Sequence, residues 1–257
     1  MIKKLLTHPL MRNRSVDDPS TTELRKELVH QKIFLERIYQ DWYRMIQDEI
    51  PAKSGPILEI GSGAGFLEQH LPRLIKSEIF HLSNIDLVLD AAHLPFENQI
   101  LSAIVMTDVF HHLPNPRLFL QEMVRTLPVG GRMVMIEPWV SKWSSIIYPR
   151  FHHEPFNPDM AGWEFPSSGP LSGSNQALPW IIFERDRVKF DREFSQLKVL
   201  KIHPMMPFRY LMSGGVSLRS LMPGWSTGFW KWVENQINPF MKNWGMFVLI
   251  VVEKQDS

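Results

Sequence analysis

The chain has 257 residues, 44% of them hydrophobic and 21% charged, with a formal net charge of +1 at pH 7. That fits one sizeable globular domain, or one domain carrying a large insertion, and the absence of cysteine excludes disulfides, thiolate nucleophiles, iron–sulfur clusters and thiolate zinc sites. There is no basic stripe, no apolar stretch of signal-peptide length at the start, and "MFVLIVV" (246–252) is the longest apolar run, so a cytoplasmic protein with no nucleic-acid partner and no bilayer span is expected.

Residues 1–20 read as an irregular arm. From Thr21 onward, Leu24, Leu28, Leu35, Ile38, Trp42, Met45 and Ile46 recur at helical spacing up to Pro51. This predicts one amphipathic helix and sets an arm-and-helix unit (1–50) ahead of the main domain (51–257). "PILEI" (56–60) predicts a short buried strand, and "FLEQHLPRLI" (66–75) a short helix. "EIFHLS" (78–83), "IDLVLD" (85–90) and "LSAIVMTDVF" (101–110) each contain a strand. "NPRLFLQEMVRTL" (115–127) predicts a helix with Pro116 near its start, ended by "PVGG", and "RMVMIEP" (132–138) is the next strand. Strands alternating with helices indicate a parallel sheet covered on both faces. From about 139 to 190 the chain is rich in Pro, Gly, Ser and aromatic residues. Its aromatic content argues for an ordered insertion covering an acceptor site rather than for disorder. "LKVLKI" (197–202) and "MFVLIVVEK" (246–254) close the sheet, with a helix at about 226–241 between them.

The loop "GSGAG" (61–65) follows the first strand and precedes a helix pattern. In a doubly wound sheet this is the nucleotide-cofactor end, where glycines permit close approach of backbone and ligand. The nicotinamide fingerprint needs a third glycine where Phe66 stands. Glu59 also disfavours a pyrophosphate, whereas a sulfonium or ammonium group tolerates a carboxylate nearby.

Four blocks in order, "EIGSGAG" (59–65), "DAAHLPF" (90–96), "DVFHHL" (108–113) and "EMVRTLPVGGRMVMIEP" (122–138), resemble the class I S-adenosylmethionine-dependent methyltransferases, in the subgroup that includes quinone-type C-methyltransferases. The resemblance implies an α/β fold: a Rossmann-like doubly wound seven-stranded sheet, mostly parallel, with an antiparallel last strand. It implies S-adenosyl-L-methionine as cofactor. Gly61, Ser62, Gly63 and Gly65 would pass under its methionine part, with Glu59 supporting the loop. Asp90 would accept the adenine amino proton with Ala91 beside it, and Asp108 would line the methionine end. The family usually carries an acid at the end of the second strand for the ribose hydroxyls. With that strand at 78–83 the position falls near Ser83, with Asn84 and Asp86 as substitutes. A serine lacks the charge-assisted grip of a carboxylate. The implied function is methylation of a small, hydrophobic molecule on oxygen or carbon. The alternative is a protein that keeps the fold without transfer and serves as a binding or scaffolding partner.

His111 and His112 follow the fourth strand, at the sheet end where ligands bind, and His153 lies in "FHHEP" (151–155); each is a candidate base or a loop brace. His152, His153 and Glu154 offer no second histidine at helical spacing, and adjacent residues on an extended segment point apart, so no metal is expected. Glu137 either faces the substrate or caps a turn, and Arg185 to Arg187 read as a solvated ion-pair cluster. Trp225, Phe229, Trp232, Phe240 and Trp244 are expected to pack against the sheet. Few Lys or Arg accompany them, which disfavours a peripheral membrane face.

Overall fold

Within β4 (Ala103–Thr107), Ala103 and Val105 point to one face and Ile104 and Met106 to the other, and all four are fully buried. β5 (Arg132–Pro138) alternates in the same way, Met133 and Met135 against Val134 and Ile136. A strand that is apolar on both sides must be covered on both sides. The structure, a computed structural model, describes residues 7–256 except 13, 16, 53, 54, 153, 167, 168 and 170–172. Its sheet adds β1 (Ile57–Ile60), β2 (Leu74–Glu78), β3 (Leu87–Val88), β6 (Leu197–Met205) and β7 (Phe247–Lys254), in the order β3-β2-β1-β4-β5-β7-β6. Only β7 runs antiparallel to its neighbours, β5 and β6. The seven-stranded doubly wound sheet with an antiparallel last strand is thus the one the sequence predicts.

The predicted N-terminal helix is two helices, α1 (Pro19–Gln31) and α2 (Ile33–Glu49). Lys32 breaks the run with an extended ψ of 82°, because its buried amine donates to the carbonyl oxygens of Gly215 and Leu218. α2 covers one face of the sheet. Trp42 has no exposed surface and packs on Phe247 (ring centroids 5.0 Å) and Tyr210 (5.6 Å). The other face is covered by α3 (Pro116–Thr126), whose cap Asn115 accepts the Leu118 N–H at 3.3 Å, and by the second half of the insertion. There Trp163 is buried under the Arg117 guanidinium, 4.4 Å from its ring, and donates to Asp186, which is paired with Arg185. The first half holds α4 (Ser144–Phe151).

Two expectations are corrected. The helix at 66–75 shrinks to one 3-10 turn, Leu67–Gln69. Pro72 has no N–H to continue it, and Arg73 takes φ 66°. β2 therefore starts at Leu74 and ends at Glu78, before the segment read as that strand. The aromatic stripe does not pack on the sheet either: Trp225 is 82% exposed, and Phe229, Trp232 and Phe240 are each more than half exposed. The α5 helix (Thr227–Gln236) turns its polar face inward instead. Glu234 is buried, accepts the Phe208 and Arg209 N–H groups and pairs with the Arg209 guanidinium at 2.6 Å; Arg209 also holds Asp41 at 2.7 Å. Among the described residues no helix is long and apolar enough to cross a membrane.

Candidate active site

Strand order reverses between β1 and β4, so the loops leaving these strands diverge and open a crevice at their carboxyl ends. The crevice holds a cavity of about 490 Å³. Backbone enters it at Gly61 (φ 68°) and Gly63 (φ 42°), in the left-handed region where a side chain is strained. A Cβ on Gly61 would lie 2.5 Å from Val109 Cγ2, and one on Gly63 would lie 3.2 Å from Glu78 Oε1.

Glu78 closes β2 with its carboxylate in the cavity. Oε2 accepts the Ile79 N–H at 3.0 Å, and the Gly63 N–H donates to the same carboxylate. Burial raises its pKa, and these two donors oppose the rise. Beyond β3, Asp90 and Ala91 line the cavity, with the Ala92 N–H donating to Asp90 Oδ1 at 2.9 Å. Beyond β4, Asp108 stands at φ 63°, and burial pushes its carboxyl up to about 7 against the opposing charge of His111. From α1, Arg25 Nε and Thr22 Oγ1 are buried without a hydrogen-bond partner among the described residues, as is Thr107 Oγ1; all three residues line the cavity.

Tyr39, Ile147, Tyr148, Phe151 and Met246 give the cavity lining an apolar part, and Tyr148 spends its hydroxyl on the Met246 carbonyl at 2.6 Å. One corner is polar. His111 is fully buried in the turn after β4, held between two carboxylates: Nδ1 lies 2.8 Å from Glu137 Oε2 and Nε2 lies 3.1 Å from Glu154 Oε2. Burial opposes its charge, but the two carboxylates outweigh burial and raise its pKa well above the ordinary value. Glu137 also accepts the N–H groups of Val109 (2.8 Å) and Phe110 (2.7 Å), so it caps this turn. His112 lines the cavity; Nδ1 donates to the Gly173 carbonyl at 3.2 Å, and Nε2 faces Glu154 Oε1 at 3.8 Å. Burial and the neighbouring imidazolium pull its pKa down to about 4.

Residues 58–135 match the family model described as a methyltransferase domain. The match covers under a third of the chain, and the fold around it is the one seen in class I S-adenosylmethionine-dependent methyltransferases. In fold, the chain resembles geranyl diphosphate C-methyltransferase from Streptomyces coelicolor A3(2), solved with Mg2+, geranyl diphosphate and S-adenosyl-L-homocysteine. The identity is 16% and the TM-score 0.51, over 97% of this chain and 89% of that one. It also resembles the methyltransferase solved in complex with the Haloferax volcanii Trm112 methyltransferase activator, at 13% identity and a TM-score of 0.52, over 95% of this chain and 99% of that one. No curated protein matches the sequence.

The fold brings Gly61, Gly63, Asp90, Ala91 and Asp108 to one cavity. Ser62, Gly65 and Ser83 surround a separate small recess of about 20 Å³. Ser83 gives its N–H (3.2 Å) and hydroxyl (2.9 Å) to Glu23, and the strand-end position expected near it belongs to Glu78. Glu59 is buried inside β1, near Tyr43, and burial pushes its carboxyl up to about 7. His153 lies outside the described residues. Glu78 and Arg25 are two charged cavity residues that sequence reasoning misses. Pro72 is the signal for the first, since ending the helix there moves β2 toward Glu78. No local pattern marks the second.

Proposed function

We propose that this methyltransferase methylates the oxygen or a carbon of a small, largely apolar molecule that carries one polar group. The carrying observation is Glu78: a buried carboxylate at the end of β2, held by two backbone donors, in the same cavity as Gly61, Gly63, Asp90 and Ala91. A vicinal diol needs such an acceptor, and a carboxylate can take both hydroxyls at once. S-adenosylmethionine, when bound, supplies a methyl group on a positive sulfur.

The chain's part is to bind, orient and exclude water. Gly61 and Gly63 let the thioether and ribose lie against bare backbone. Asp90 accepts from the adenine amino group beside Ala91. Arg25, with its unpaired Nε, takes the methionine carboxylate, and Asp108 faces the ammonium end. The apolar wall from Tyr39 to Phe151 takes the body of the acceptor. The corner of His112 and Glu154 takes its polar group and so turns one atom toward the donor. His111 is a positioning residue, since both of its nitrogens are engaged by carboxylates. The alternative of a scaffold that has lost transfer drew its support from a missing ribose acid, and Glu78 removes that support.

Calorimetry with S-adenosylhomocysteine tests this reading. Wild-type protein should bind it, Glu78→Gln should bind about 10- to 100-fold more weakly through loss of a charged hydrogen bond, and Gly63→Val should not bind. No binding to the wild type up to millimolar ligand, or unchanged affinity in Glu78→Gln, would overturn it.

A further inference from the structure

We propose that His111, His112 and Glu154 form a binding site for one divalent transition-metal ion at the polar corner of the cavity. One ligand atom from each of the three lies within 4.8 Å of the others. Glu154 Oε2 is 3.1 Å from His111 Nε2, and Oε1 is 3.8 Å from His112 Nε2. Two donors bound tetrahedrally to one ion, each at about 2.1 Å, stand roughly 3.4 Å apart. The observed spacings bracket that value, so an ion fits after small rotamer adjustments.

The outer nitrogens supply the second argument. A metal-binding imidazole normally gives its other N–H to a carboxylate or carbonyl, which fixes the ring and the tautomer. Both histidines do so here: His111 Nδ1 on Glu137 at 2.8 Å, and His112 Nδ1 on the Gly173 carbonyl at 3.2 Å. With the Nδ1 atoms so engaged, an ion would displace the proton that His111 Nε2 shares with Glu154, and both Nε2 atoms would be free to bind it. Glu137 is itself fixed by the Val109 and Phe110 N–H groups, so the His111 ring has little freedom to turn away. Charge supplies the third argument. Glu137, Glu154 and Asp108 surround His111, and a dication balances them better than one imidazolium does.

Two imidazoles and one carboxylate suit Zn2+, Fe2+ or Co2+ better than Mg2+, which prefers an all-oxygen shell. Three protein ligands leave at least one position open, and His112 and Glu154 line the cavity, so that position faces the acceptor space. An acceptor hydroxyl or carbonyl bound there would be polarised by the ion. This last role rests on the function proposed above; metal binding does not. No local pattern marks the ligand set, because its members come from the turn after β4 and from the insertion, 43 residues apart.

The test uses the full chain, stripped with a chelator and titrated with Zn2+ by calorimetry and with Co2+ by visible absorption. The expected result is one equivalent bound with micromolar or tighter affinity and a d–d band typical of nitrogen and oxygen ligands. His112→Ala and Glu154→Gln should each weaken Zn2+ binding at least 10-fold, while His30→Gln, at an exposed histidine–glutamate pair, should leave it unchanged. Absence of stoichiometric binding in the wild type, or full binding in both site variants, overturns the proposal. Should the variants unfold, zinc-edge X-ray absorption of the wild type decides: a shell with two imidazoles supports the site and one without imidazole overturns it. S-adenosylhomocysteine titration of the same samples reads the cofactor site separately, so Zn2+ binding without it would overturn the proposed function and leave the metal site standing.

Discussion

A Cβ on Gly65 would lie 2.6 Å from the Tyr43 hydroxyl and 3.0 Å from the Ser62 carbonyl. The third glycine of the loop therefore makes room for α2 rather than for a ligand. Tyr43 uses the space to accept the Phe66 N–H at 3.2 Å, with the Phe66 ring edge-on at 4.9 Å. Gly65→Ala forces these groups apart and should cost about 1–3 kcal/mol. Tyr43→Phe loses one hydrogen bond and should cost about 1 kcal/mol. The double variant removes the clash together with the hydroxyl that causes it, so its cost should fall below the sum by about 0.5–3 kcal/mol. Urea unfolding of the four proteins checks this; simple additivity would show that Tyr43 is not what the glycine accommodates.

The joint between α1 and α2 carries an ionisable group with a predictable signature. Lys32 is buried and, among the described residues, its amine donates to carbonyl oxygens alone, and burial pulls its pKa down to about 8. The charged form is the costly one in the folded chain, while the unfolded chain keeps the proton up to about pH 10.4. Between these values the unfolded state binds more protons, so this group's contribution to stability rises with pH. Relative to Lys32→Met, the wild type should gain about 2 kcal/mol between pH 7.5 and 9.5. A constant difference in unfolding free energy across that range would place the amine in water. The same joint shows what was legible at this scale. β1, β4, β5 and β7 stand out in the sequence because apolar residues on both faces force one pairing. The break at Lys32 does not, because its cause is a pair of carbonyls at Gly215 and Leu218, far along the chain. β2 lies outside its expected place because the spacing of Phe66, Leu67, Leu71, Leu74 and Ile75 suits a helix, which Pro72 interrupts.

The cavity is assembled from parts of the chain that lie far apart in sequence. Gly61, Gly63, Asp90 and Asp108 were legible because each sits beside its own strand end in a local pattern. Arg25 and Glu78 act only through what the fold places opposite them, so no local spacing announces them; Glu137 and Glu154 draw notice in the sequence, but their shared partner His111 is set by the fold. The acceptor side is the most composite: Ile147, Tyr148, Phe151, His152 and Glu154 form one wall and Gly214 to Leu218 another. The second wall is tied to the N-terminal arm by the Thr7–Leu218 bridge and by the His8 N–H donating to the Ser217 carbonyl at 3.0 Å. A ligand protects the backbone it touches, and coupled segments follow. S-adenosylhomocysteine should therefore slow amide exchange at 61–65, at 78–79, at 90–93 and in α1 around Arg25, while 147–152 and 214–218 exchange as in the free protein. Adding an acceptor should then slow those two walls as well. Protection of 214–218 by the homocysteine compound alone would mean that it occupies the space assigned here to the acceptor, and the division of the cavity would have to be redrawn.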